Sequence, residues 1–112
     1  MTRKITITDN PNKFVLTVNG HQIAEVPSAK SLAEGSYDPV LYFDPAHFDS
    51  ALFSKSDHST HCPFKGDANY YDLTVDGKTY PNAAWYYENP MPAAAGIKGL
   101  LGFYPVVAVS PA

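Results

Sequence analysis

Residues His61-Cys62-Pro63-Phe64-Lys65 put the single cysteine of this 112-residue chain beside a histidine and three positions from a lysine. That composition suits two kinds of chemistry. A thiolate is the nucleophilic form of cysteine, and a neighbouring cation such as His61 or Lys65 favours it. Against this, adjacent residues of an extended segment point to opposite sides, so His61 is badly placed to act as the base for Cys62. His21, His47 and His58 are available, but no spacing singles one out. A buried cysteine acting as a small hydrophobe is the alternative. Lys65 suits the second chemistry, a cationic anchor for an anion. The Pro63 turn sets its position, and Gly66 after it lets the backbone approach a ligand closely.

The run Asp57-His58-x-x-His61-Cys62 also has metal-ligand residue types. Structural zinc sites carry paired C-x₂-C or H-x₃₋₅-H spacings, and neither pair is complete here, so the sequence predicts folding without metal and without a cofactor.

Aromatic residues follow the block in a pattern of their own. If 68–75 and 83–88 are strands, Ala68, Tyr70 and Asp72 share one face, with Tyr71, Leu73 and Val75 on the other; Ala83, Trp85 and Tyr87 likewise share a face. Small residues beside large rings leave concave room on a sheet. The expectation is an aromatic-walled pocket lined by Tyr70, Trp85 and Tyr87, with Tyr42 and Cys62 nearby and Lys65 at its mouth. Solid core packing of the same rings is the alternative.

The elements that must position these residues read as short strands. Phe14–Val18, Asn19-Gly20 and His21–Glu25 form a two-residue hairpin signal, with Leu16 expected opposite Ile23. Val40–Phe43 is a further strand. Asp44-Pro45 then reads as an N-cap and first helical residue, starting a short helix to about Phe53 that presents Phe48, Ala51 and Leu52 on one face. Tyr70–Val75, Asp76-Gly77 and Lys78–Tyr80 make a second hairpin, Ala83–Glu88 a strand, and Leu100–Tyr104 and Val106–Val109 the last two. Pro105 between these forces a bulge, bend or edge position. Ten prolines and eight tyrosines against few Leu and Ile favour this reading over a helix bundle. The expected architecture is mainly β, a compact antiparallel domain of about eight strands with one short helix, spanning 1–112 as one unit.

Three stretches of this sequence resemble a known family: Thr60-His61-Cys62-Pro63-Phe64-Lys65-Gly66 with Ala68 and Tyr70, Asn82-Ala83-Ala84-Trp85 with Tyr87 and Pro90, and Gly99 with Phe103-Tyr104. Weaker echoes are Gly20, Ile23-Ala24, Glu34 and Pro39–Phe43. The family is domain of unknown function family four-twenty-seven (DUF427), which also carries a nucleotidyltransferase-like label. Pro105 departs from it, standing where many relatives continue with Trp or an acidic residue. The resemblance implies an Mss-four-like β fold. Zinc-bearing relatives of that fold use two Cys-x-x-Cys pairs, which a chain with one cysteine lacks.

Nucleotidyl transfer itself has little support. It needs paired carboxylates for magnesium and a glycine-rich turn for the triphosphate, and the chain has no Asp-x-Asp, Gly-x-Gly or Walker-type loop. A net charge of −3 with scattered lysines and arginines argues against a nucleic-acid partner. The single cysteine and the lack of a long apolar N-terminal run lead to the expectation of a soluble, cytoplasmic protein without membrane attachment. The reading is therefore a binding domain for a small ligand, anionic or aromatic, through Lys65, Tyr70, Trp85, Tyr87, Tyr42 and Cys62. An enzyme using Cys62 or Lys65 covalently, and a protein-interaction module, remain open.

Overall fold

Turn chemistry decides the local framework. In the computed structural model, which describes residues 4–112, Asn19-Gly20 and Asp76-Gly77 all have positive φ, at 49°, 83°, 52° and 77°. A two-residue turn whose twist matches that of its strands requires this, and both hairpins form as the sequence predicts. The described residues form ten strands: β1 (Ile5–Asn10), β2 (Phe14–Val18), β3 (His21–Val26), β4 (Ala29–Glu34), β5 (Val40–Tyr42), β6 (Phe53–Cys62), β7 (Gly66–Val75), β8 (Lys78–Tyr86), β9 (Gly102–Phe103) and β10 (Val107–Pro111). They pair antiparallel in three sheets, ordered β1-β4-β5, β10-β2-β3 and β6-β7-β8-β9. The architecture is mainly antiparallel β.

Several details differ from the sequence reading. Leu16 lies opposite Ala24, not Ile23, because the register shifts between Leu16 and Thr17. The shift makes Ile23 an extra residue and keeps Ala24 and Val26 on the buried face. The expected helix from Pro45 breaks into two 3-10 turns, Pro45–His47 and Ser50–Leu52. Asp44 caps the first through Ala46 N at 2.9 Å, and Asp49 caps the second through Ala51 N at 2.9 Å. A second capping carboxylate five residues after the first stops the helix and restarts it. A third 3-10 segment spans Pro92–Ile97 and buries Ala94 and Ile97.

The segments expected as Lys78–Tyr80 and Ala83–Glu88 are one strand, β8, with a register shift against β7 between Tyr71 and Leu73. Asn82 takes positive φ there, and its backbone N–H donates to Asp72 Oδ1 at 2.9 Å. Pro105 opens a turn closed by Val107 N donating to Tyr104 O at 3.0 Å, so β9 is shorter than expected.

Two apolar clusters hold the sheets together. Leu16, Val18, Val26, Phe43, Leu73 and Leu101 belong to the first. Leu32, Tyr42, Ala68, Tyr70, Tyr87 and Ile97 belong to the second. Strand β7 contributes to both, because its alternating faces are both covered: Leu73 and Val75 face the first cluster, Ala68 and Tyr70 the second. The residues expected to form a site therefore lie on the second cluster's side.

Candidate functional site

The β6–β7 hairpin carries Lys65 at its tip. Cys62 pairs with Gly66, and Lys65 N donates to Cys62 O at 3.3 Å to close the turn. Lys65 O accepts from Met91 N at 2.8 Å, which ties the tip to the segment after β8. A Cβ on Gly66, whose φ is +112°, would lie 3.4 Å from Asn89 O and 3.5 Å from Met91 N. The close approach that Gly66 permits is thus to the chain's own backbone.

From this tip the Lys65 side chain turns inward. Its Nζ lies 3.1 Å from Glu34 Oε1 on β4, with the two side chains 15% and 10% exposed, and 5.9 Å from the Tyr87 ring centroid. An ion pair this sheltered loses much of its hydration, so its geometry is held by the surrounding rings rather than by the pair alone.

Tyr42 stands at the centre of those rings. Its hydroxyl accepts from Trp85 Nε1 at 3.1 Å, and the two rings meet edge-on with centroids 6.2 Å apart. Trp85 is paired with Tyr70 on the neighbouring strand, a pairing set by the register shift between Tyr71 and Leu73. The Tyr70 hydroxyl shares a 2.8 Å hydrogen bond with Thr60 Oγ1, and its ring meets His58 at 4.6 Å. Tyr104 covers both, 4.8 Å from Trp85 and nearly parallel to Tyr70 at 6.4 Å. The six residues expected to share a site are thus brought into one neighbourhood, with Cys62 near the Tyr42 and Tyr87 hydroxyls.

Burial pushes the Tyr42 phenol above its ordinary value, partly offset by the Trp85 hydrogen bond and by Lys65. Burial also raises Tyr87, reinforced by Tyr42 and Cys62. Phenols protonated more tightly in the folded state stabilise it fully below the unfolded value of 10.0, and the benefit is lost as pH rises toward the folded values. Stability should therefore hold to about pH 10 and fall beyond it. Urea midpoints measured from pH 9 to 11.5 should show this fall, and Tyr87→Phe should flatten it. An unchanged slope in the variant would contradict the assignment.

Open space lies around the cluster rather than within it. Lys65, Tyr70, Trp85 and Tyr87 line none of the four most prominent clefts among the described residues. One of about 430 Å³ is lined by Tyr42 with Asp9, Lys30, Asp44, His47 and Leu100. A second, of about 460 Å³, is lined by Thr60, His61, Asp67, Asn69 and Glu88 among others. In it His61 Nδ1 lies 2.7 Å from Asp67 Oδ1, both side chains largely exposed. His61 is thereby engaged away from Cys62, in keeping with the opposite sides that neighbouring strand residues face. Among the described residues, no three His, Cys, Asp or Glu side chains group as a metal site would. No helix among them is long and apolar enough to cross a membrane.

A family model for a domain of unknown function, DUF427, matches residues 6–110 and so spans every residue of this cluster. The chain belongs to the DUF427 family. No curated protein matches it. Three residues of this DUF427 chain that sequence reasoning left outside the site now join it: Glu34 as the partner of Lys65, Thr60 as the partner of Tyr70, and Tyr104 as the lid over Trp85. Each stood at a position of family resemblance, which was the one signal available for it.

Proposed function

We propose that this DUF427 chain is a small-molecule binding domain that takes a compact anion at the cluster of Lys65, Tyr42, Tyr70, Trp85 and Tyr87, with Cys62 beside it. The observation that carries this reading is the sheltered Lys65 ammonium, held against Tyr87 and paired with Glu34 beside an apolar cluster that includes Tyr42, Tyr70, Trp85 and Tyr87. A cation and its carboxylate partner retained among rings cost desolvation that apolar residues would avoid, and such groups concentrate at functional sites. An entering carboxylate or phosphate would compete with Glu34 for Lys65, while the rings supply apolar contact. Tyr42 is the residue common to the cluster and the 430 Å³ cleft, and it is also hydrogen-bonded to Trp85, so an anion reaching Lys65 from that cleft would have to displace its ring.

A covalent role for Cys62 has less behind it. The adjacent histidine is engaged by Asp67, which takes it out of the role of base for Cys62.

Trp85 is the sole tryptophan and so reports directly on the cluster. Titration with acetate, succinate and inorganic phosphate, followed by Trp85 emission, should give a saturable change with at least one of them. Lys65→Met should abolish it, and Tyr42→Phe should weaken it. Emission that none of the three moves, or equal affinity in Lys65→Met, would overturn the proposal.

A further inference from the structure

A separate cleft lies on the other side of the large sheet, where the expected helix breaks. The turns Pro45–His47 and Ser50–Leu52 pass over the row that Phe53, Lys55 and Tyr71 make on β6 and β7. Because the segment forms two short turns instead of one helix, it does not close over that row. A cleft of about 310 Å³ remains, walled by Phe48, Phe53, Tyr71 and Leu101 and edged by Ser50 and Lys55. The walls pack on one another: Phe48 meets Phe53 edge-on at 5.8 Å, Phe53 meets Tyr71 at 5.7 Å, and Tyr71 stacks on Tyr86 at 4.7 Å.

We propose that this cleft binds an aromatic monocarboxylate, its ring between Phe48, Phe53 and Tyr71 and its carboxylate on Lys55. Three observations fix the class of ligand. The volume is about twice the roughly 150 Å³ in which an engineered apolar cavity holds benzene, leaving room for one ring and a short acidic arm. Aromatic walls favour a planar apolar body in offset or edge-on contact. Lys55 is the sole charged residue of the lining, and among the described residues no carboxylate lies within ion-pair distance of it, so the charge the cleft offers is positive and uncommitted. Ser50 adds a hydroxyl at the same rim. The site shares no lining residue with the cluster around Lys65, so either proposal can fail alone.

Phenylacetate is the probe, with benzylamine as its cationic counterpart, each titrated into the full chain and followed by NMR of the aromatic and Leu methyl signals. Saturable shifts at Phe48, Phe53, Tyr71 and Leu101 are expected with phenylacetate and not with benzylamine. Lys55→Met, at an exposed position on an edge strand, should fold normally and bind phenylacetate at least tenfold more weakly, whereas Lys65→Met should leave these shifts unchanged. Ser50→Phe should block the cleft from its solvent side. Equal binding of the two probes, undiminished binding in Lys55→Met, or shifts confined to other residues would overturn the proposal. So would a concentration-dependent dimer that covers Phe48 and Phe53 and excludes phenylacetate, since the occupant would then be a second copy of the chain.

Discussion

Gly102→Ala is expected to destabilise the protein by roughly 2–4 kcal/mol and to displace the indole of Trp85. A Cβ at Gly102 would lie 2.5 Å from Trp85 Cε2, 2.6 Å from Cζ2 and 2.9 Å from Nε1, closer than atoms approach without moving. Neither side can give way easily. Strand β9 is fixed by the pairing of Ala84 with Phe103 and of Trp85 with Gly102. The ring is held by its hydrogen bond to Tyr42 and by Tyr104 at 4.8 Å. Overpacking of this kind costs about 1–3 kcal/mol, and losing the indole hydrogen bond adds about 1 kcal/mol. Urea denaturation gives the energy, and Trp85 emission, shifted to the red as the ring moves toward water, gives the structural cause. A loss below about 0.5 kcal/mol with unchanged emission would place the indole elsewhere.

Glu34→Leu is expected to cost about 3 kcal/mol, the lower end of the range for stranding one member of a buried ion pair. The variant leaves Lys65, 15% exposed, beside the Tyr87 ring without its carboxylate. Adding Lys65→Met should recover most of the loss, because Met occupies the volume of the lysine stem and removes the uncompensated charge. The two single variants and the double variant form a cycle whose coupling energy should be large for so sheltered a pair. A single-variant cost below about 1 kcal/mol would mean the pair behaves as an exposed one. The same variants separate stability from binding: the double variant should fold yet lose the anion response of Trp85.

What the sequence determined by itself is local chemistry. Asn19-Gly20 and Asp76-Gly77 specify their hairpins because two consecutive positive-φ positions tolerate few other residues. Asp44 before Pro45 specifies a capped turn for the same kind of reason. Alternation puts Tyr70 and Trp85 on like faces of successive strands, but the hairpin continued without a shift would set Tyr70 opposite Ala83, and the register shift near Asp72 is what pairs it with Trp85. These signals act over two to five residues, and the family resemblance lay on the same stretches.

The rest depended on groups far apart in the chain. Strand β6 is largely exposed along its length, so no apolar alternation marked it, and only its pairing with β7 makes Phe53–Cys62 a strand. Strand β4 brings Glu34 to Lys65 across thirty-one positions, a partnership that neither residue's surroundings in sequence announce. The register shifts opposite Leu16 and near Asp72 add residues to β3 and β8 that the turn residues do not announce; at Leu16 the extra residue keeps Ala24 and Val26 on the buried face. Above all, residue types show that rings and small side chains share a face, but not what fills the room between them. Tyr42 arrives there from another sheet, so the aromatic cluster is packed at its centre and the open clefts lie at its edges and behind the broken helix. Volume is set by everything that converges on a point, and only the tertiary structure brings those residues together.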